Sequence, residues 1–265
     1  MRLNKKVILI TASTRGIGLS CVKECAKEGA IVYMAVRNLE LAKDIAEDLC
    51  SQGYNVKYVY NEASKPETFN SMIKEVIQNE GHLDVLVNNF GTSNPKKDLD
   101  IANTNIDDYL DIINMNLRSV FLASQEAIKY MVNSGGGSII NISSVGGIIP
   151  DSSQVAYGTS KAAINYLTKL IAVQEARNNI RCNAILPGMT QTEAVKNNLS
   201  EDFKSFFLKH IPLKKIGMPE EVAQAVVYFA SDESSYTTGQ ILSISGGFGI
   251  ATPLYGDLID NNIKR

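Results

Sequence analysis

The sequence predicts a single α/β domain, a doubly wound and mostly parallel seven-stranded sheet with helices on both faces. Three observations carry this. Short runs such as Val7 to Thr11, Ile31 to Val36 and Ser138 to Ile142 are mostly apolar on both faces, as strands buried between two helical layers require. Between them lie longer segments with helical apolar spacing, as in Leu41, Ile45 and Leu49. At 265 residues, 45% hydrophobic and 20% charged, the chain can bury one full core, and no repeat, low-complexity stretch or linker divides it. Residues 1–265 are therefore read as one domain.

Taken in order, Val7 to Thr11 is the first strand, and a Gly-containing turn opens a helix near Gly16. Ile31 to Val36 is the second strand, a helix through Leu41, Ile45 and Leu49 follows, and Val56 to Tyr60 is the third. A further helix leads to a strand at Leu83 to Val87, a long helix at Ile106 to Met131 and a strand at Ser138 to Ile142. A helix holding Tyr157, a strand at Ile180 to Leu186, helices to about Ala230 and a last strand at Ile241 to Ile244 complete the alternation. Strands alternating with helices imply parallel pairing through crossovers.

Several function classes fall away. A net charge of −2 offers no general attraction for nucleic acid or an anionic membrane. The apolar run near the start is too short to span a bilayer and has no secretory cleavage pattern, so a cytoplasmic protein is expected. Cys21, Cys25, Cys50 and Cys182 form no CxxC, and Cys21 and Cys25 share one helical face as core thiols. His82 and His210 have no ligand-spaced neighbours, so no metal site is expected. Ser20 and Lys23 match SerxxLys inside the first helix without its companion motifs, which marks a chance match.

Two stretches carry chemistry. The first, Thr11 to Gly18, joins the first strand to the first helix, where this fold binds phosphates. Ser13, Thr14, Arg15, Gly16, Ile17 and Gly18 are the contact candidates, and the lack of a Gly-Lys-Ser/Thr ending excludes a P-loop. The second strand then chooses the dinucleotide. Val36 stands where an acid would bond a ribose 2′-hydroxyl, and Arg37, Asn38 and Arg15 offer donors for a 2′-phosphate, so NADP is expected.

The second stretch runs from Ser144 to Lys161. Tyr157 and Lys161 are four apart in a helical pattern and share a face. An ammonium ~4 Å from the phenol at an effective dielectric of ~20 would favour the phenolate by ~4 kcal/mol. That is roughly three pH units off the Tyr pKa. Ser144, at the end of a strand, would hold a substrate oxygen for the phenol.

The combined pattern resembles the short-chain dehydrogenase/reductase family over nearly the whole chain, and so a Rossmann-type fold. The matching blocks are the glycine loop, Asn88–Gly91, Asn116, Ser144, Tyr157, Lys161, Pro187–Gly188 and the late pair Gly239–Gln240. The resemblance implies Tyr157 as acid/base, Ser144 on the carbonyl or hydroxyl oxygen, Lys161 beneath the Tyr and on the nicotinamide ribose, and Asn116 at a proton-relay water. It places Glu62, with Ala63, at the adenine, Asn89, Phe90 and Gly91 along the cofactor, and Pro187, Gly188, Thr190 and Thr192 near the carboxamide. Ala12, Phe90 and Ser245 depart from the usual Gly, Ala and Asp. Within the family the nearer resemblance, from the overall sequence, is to bacterial members that oxidise the 7α-hydroxyl of bile acids with NADP. A small-molecule hydroxysteroid substrate and a homotetramer follow as implications, with 3-oxoacyl thioester reduction and a non-catalytic NADP-binding regulator as alternatives. Met189, Phe203, Phe206, Phe207, Leu208 and Ile211 make residues 189–215 an expected substrate lid. The tail, 247–265, is expected to close one side, and Lys204, Lys209, Lys214 and Arg265 are the cations nearby.

Overall fold

A computed structural model describes residues 1–193, 195, 200–252 and 254–260. The strands are β1 (Val7–Thr11), β2 (Ile31–Val36), β3 (Asn55–Tyr60), β4 (Val85–Asn88), β5 (Gly137–Ile142), β6 (Ile180–Pro187) and β7 (Ile241–Ile244). The helices are α1 (Gly16–Lys27), α2 (Leu39–Ser51), α3 (Glu67–Glu80), α4 (Ile106–Asn133), α5 (Val155–Glu175), α6 (Glu201–Leu208), α7 (Pro219–Ala230) and α8 (Tyr255–Asp260). Arg265 lies outside the described residues, as do parts of the expected lid and tail.

The sheet runs β3-β2-β1-β4-β5-β6-β7. Every pairing is parallel, so the expectation of a mostly parallel sheet becomes a fully parallel one. Parallel neighbours need helical crossovers, and these cover both faces. On one face α1, α2 and α7 bury Cys21, Val22, Cys25, Leu49 and Val226 against Ile8, Ile10 and Met34. On the other, α3, α4 and α5 bury Phe69, Met72, Met131 and Ile171 against Leu9, Tyr33 and Leu86. Each such side chain contributes about 1.5–3 kcal/mol, so alternate residues of every strand pin its register. Cys21 and Cys25 are core thiols as expected, and burial pushes Cys25 up to about 12.

The chain winds outward from β1 through β2 to β3, then returns to place β4 on the other side of β1. The loops leaving β1 and β4 therefore diverge, opening a crevice at the carboxyl ends of the strands. The segments that follow β1, β2, β4, β5 and β6, which carry most of the residues singled out from the sequence, leave the sheet at this end.

Candidate active site

The loop after β1 is built to let other backbone come close. Gly16 has φ 54°, and an added Cβ would sit 3.4 Å from Cγ2 of Thr192, so the segment after β6 lies over this loop. At Gly18 a Cβ would fall 2.5 Å from Nδ2 of Asn89 and 2.6 Å from the Ala12 carbonyl, a space only glycine leaves open. Asn89 uses it, donating from Nδ2 to the carbonyls of Thr11 and Ala12, both at 3.0 Å. Thr11 Oγ1 accepts from the backbone N–H groups of Asn89 and Phe90 at 2.9 and 3.1 Å. Asn89 thus braces the loop from behind. Ala12 takes φ 53°, a left-handed conformation that suits the glycine it replaces.

Arg15 is the N-cap of α1, and no side chain caps that helix or places a carboxylate in its first turn. Helix-start N–H groups facing a switch-point crevice suit a diphosphate. Ser13 cannot offer its hydroxyl, because it is buried and donates to the Ile10 carbonyl at 2.9 Å. Arg15, Arg37 and Asn38 are exposed at the crevice end of β1 and β2, and Asn38 Oδ1 caps α2 by accepting from Leu41 N. The residues present fit a dinucleotide.

Glu62 is more constrained than the sequence suggests. Its carboxylate accepts from the Tyr60 hydroxyl at 2.6 Å and from Ser64 at 2.9 Å, and Lys65 lies 3.0 Å away. These bonds, the Tyr60 one foremost, hold its carboxyl down at about 2. Phe90 is partly buried and packs its ring against the core formed by Phe69 and Met72. Ala63 is buried, and its carbonyl accepts from Arg118 Nη2 at 3.3 Å.

Across the crevice, β5 is followed by Ser143 and Ser144 and then by the tight turn Val145–Gly147. Gly147 lets this turn touch α5, where a Cβ would lie 2.8 Å from the Lys161 carbonyl carbon. Ser144 Oγ accepts from Gly146 N at 3.1 Å, and the Ser144 side chain is near enough to the Tyr157 hydroxyl to favour its ionised form. Lys161 is 3% exposed, and its Nζ donates to the Ile142 carbonyl at 2.9 Å. That Nζ lies 5.6 Å from the Tyr157 ring centroid and would be 3.0 Å from a Cβ on Gly91. The structure thus places Ser144, Tyr157, Lys161 and Gly91 next to one another.

The expected lysine-driven fall in the Tyr157 pKa is corrected. Burial raises the phenol, and only the Ser144 hydrogen bond pulls the other way. Lys161 is itself drawn down to about 8 by burial. Its nitrogen is turned to the Ile142 carbonyl, so its attraction for a phenolate is not what sets the resting state.

Asn116 is fully buried, with its amide spent on neighbours. Oδ1 accepts from Thr92 N at 2.8 Å, and Nδ2 donates to the Thr92 carbonyl and Ser160 Oγ, both at 2.9 Å. Only the second lone pair of Oδ1 remains for a water. After β6, Gly188 packs on Ser245, and Thr190 is buried, donating to the Gly188 carbonyl at 3.1 Å.

The described part of residues 189–215 meets the tail. Phe207 stacks on Phe248 with centroids 4.9 Å apart, and Lys209 pairs with Asp257 at 2.7 Å. Phe203 and Phe206 are exposed, at 46% and 64%, while Ile211 is buried, so the run divides between core filling and open apolar surface. Ser245 donates to the Phe248 carbonyl at 3.4 Å in place of the usual acid's contacts. One residue escaped the sequence analysis. Asp98, in the polar run after β4, is fully buried and bonded to the start of α5.

A family model described as enoyl-(acyl carrier protein) reductase matches residues 11–249, and curated relatives match along nearly the whole chain. The chain belongs to the short-chain dehydrogenase/reductase family. A 7α-hydroxysteroid dehydrogenase of Clostridium sardiniense is 46% identical over 97% of this chain and 98% of its own. A 3-oxoacyl-[acyl-carrier-protein] reductase of Thermotoga maritima is 39% identical over 94% of this chain and 100% of its own. Among solved structures, a 7α-hydroxysteroid dehydrogenase complexed with NADH and 7-oxo glycochenodeoxycholic acid aligns with TM-score 0.88 and 28% identity. That alignment covers 93% of this chain and 95% of the other. As a short-chain dehydrogenase/reductase the protein is an oxidoreductase with a nicotinamide cofactor. No described helix is long and apolar enough to cross a membrane.

Proposed function

We propose that the protein is an NADP-dependent oxidoreductase that interconverts a secondary alcohol and its ketone, with the 7α-hydroxyl of a bile acid as the group acted on. The convergence of Ser144 and Lys161 on Tyr157 carries the chemical reading. The 46% identical dehydrogenase supports the substrate class. In oxidation, the Tyr157 phenolate takes the substrate's hydroxyl proton, and Ser144 holds the same oxygen. A bound oxidised nicotinamide would supply the hydride acceptor and a positive charge favouring the phenolate that burial opposes. Lys161, packed against Gly91, serves the ribose side and the proton path. Asn116 ties α4 to Ser160, and any relay water rests on its Oδ1. Gly16, Ile17 and Gly18 line the diphosphate, Arg15 and Arg37 take the 2′-phosphate, and Thr190 and Thr192 flank the carboxamide. Among the described residues, Phe207 and Phe248 with the exposed Phe203 and Phe206 supply the apolar wall for a flat steroid. A cytoplasmic homotetramer accords with this reading.

The test is turnover of NADP⁺ or NAD⁺ with bile acids hydroxylated at C3, C7 or C12 in each configuration. Only 7α-hydroxy compounds should react, with NADP⁺ preferred. Tyr157→Phe should lower kcat by roughly 10³-fold while NADPH still binds. Activity on 3-oxoacyl thioesters alone would transfer the protein to the other reductase class. Substantial activity in Tyr157→Phe would overturn the proton-transfer assignment, and no turnover of any substrate would leave a binding-only role.

A further inference from the structure

The helix that carries Tyr157 and Lys161 begins without a cap of its own. Gln154 occupies the N-cap position at φ 59°, in the left-handed region, and its side chain makes no capping bond. A helix start leaves about four N–H groups without intrahelical partners. In α5 all of them go to one dipeptide in the loop between β4 and α4. Gln154 N donates to the Asp98 carbonyl at 3.1 Å, and Val155 N to the Leu99 carbonyl at 3.2 Å. Ala156 N donates to Oδ1 of Asp98 at 2.8 Å, and Tyr157 N to Oδ2 at 2.9 Å. Asp98 is 0% exposed. A carboxylate fits there because the helix start carries partial positive charge and its N–H groups replace the lost water.

The loop presenting Asp98 is held from the other side by α4. Thr92 is bonded through both its N–H and its carbonyl to Asn116, and Lys97 pairs with Asp108 at 2.7 Å. Asp98 N donates to the Asn94 carbonyl at 2.8 Å, and Leu99 N to Thr104 Oγ1 at 2.9 Å. A continuous brace thus runs from α4 through residues 92–99 to the backbone nitrogen of Tyr157.

We propose that Asp98 is a positioning residue for the reaction, fixing Tyr157 against Ser144 by capping α5 from a distant loop. This inference rests on the reading of Tyr157 as the proton-transfer group. A carboxylate that binds the tyrosine's own N–H sets where its Cα sits, and proton transfer is sensitive to that position.

The test compares Asp98→Ala, Asp98→Asn, Tyr157→Phe and, as an ordinary cap, Asn105→Ala. Asn105 Oδ1 caps α4 by accepting from Asp107 N at 2.8 Å on an exposed surface. Steady-state kcat and substrate KM are measured at a temperature where circular dichroism shows each variant folded, and NADPH affinity is read by cofactor fluorescence. Asp98→Ala should lower kcat about 10- to 100-fold, the scale on which a ~1 Å misplacement is felt. Asp98→Asn, which keeps one acceptor oxygen, should fall between it and the parent, and decides the question if Asp98→Ala does not fold. NADPH affinity should stay within about twofold, since the cofactor loop is braced separately by Asn89. Asn105→Ala should lose stability and keep kcat. The proposal is overturned if folded Asp98→Asn and Asp98→Ala keep the parental kcat, or if kcat and NADPH affinity fall together. If Tyr157→Phe itself turns over, the underlying assignment fails instead.

Discussion

Lys161→Met tests what the active-site ammonium does to stability. Lys161 is 3% exposed, its Nζ donates to a single carbonyl, and burial alone takes it from the ordinary 10.5 to about 8. At about 1.36 kcal/mol per pH unit, holding that charge in the folded protein costs about 3 kcal/mol at neutral pH. The folded value lies below the unfolded one, so the unfolded chain binds more protons between about pH 8 and 10.5. Stability from this site therefore rises with pH through that window and is lowest below it. Methionine keeps the length and removes the charge, but it leaves the Ile142 carbonyl without its donor, a pH-independent loss of about 1–3 kcal/mol. The pH dependence isolates the charge. Urea unfolding of both proteins, without cofactor and at one chain concentration, should show the variant's relative stability falling by about 2.5 kcal/mol from pH 7 to pH 10. Measurements stop there because the raised Tyr157 begins to titrate beyond it with the opposite sign. A difference constant to within about 0.5 kcal/mol across that range would show that the ammonium is not desolvated, and the reasoning would fail.

Other perturbations reach other parts of the molecule. Arg37→Ser should raise the KM for NADP⁺ at least about tenfold and leave that for NAD⁺ nearly unchanged, as loss of a charge-assisted phosphate contact requires; equal changes would remove Arg37 from the 2′-phosphate. Ala12→Gly relieves a left-handed alanine at φ 53° and should stabilise the protein by up to about 1 kcal/mol in urea unfolding. A loss of stability would mean that the Ala12 methyl packs productively. Phe121 and Tyr166 are exposed at 49% and 66% on α4 and α5, so if the proposed homotetramer forms through these helices, Phe121→Asp with Tyr166→Asp should lower the mass seen by light scattering. A mass unchanged by the pair would remove these two side chains from any interface.

The parallel sheet was legible because its signals are local. Apolar runs give strands whatever lies beside them, and β1, β2 and β7 occupy the predicted residues. Tyr157 and Lys161 were legible for the same reason, since four residues along a helix set their shared face. What escaped depends on contacts between distant segments. The direction of the Tyr157 shift follows from its desolvation, and spacing carries no record of burial. The amide of Asn116 is committed to Thr92 and Ser160, twenty-four and forty-four residues away. Asp98 sits in the polar run Lys96-Lys97-Asp98, which reads as solvated surface, and its partners lie 58 and 59 residues downstream.

The pairing of α1 with α7 bears on how the chain is made. α1 buries Cys21, Val22 and Cys25 in the core that also takes Val222, Val226 and Val227. Ser20 bonds Glu220 at 3.2 Å, and Gln224 bonds Glu24 at 2.7 Å, each across 200 residues. At roughly 5–20 residues per second, the ribosome needs on the order of 10–40 s to deliver α7 after α1 has emerged. Through that interval the side of α1 that meets α7 has no cover, although β1, β2 and β3 can already pair. The nascent chain is thus a half-clad sheet for much of its synthesis, and the seam between its two ends is the last part of the core to close.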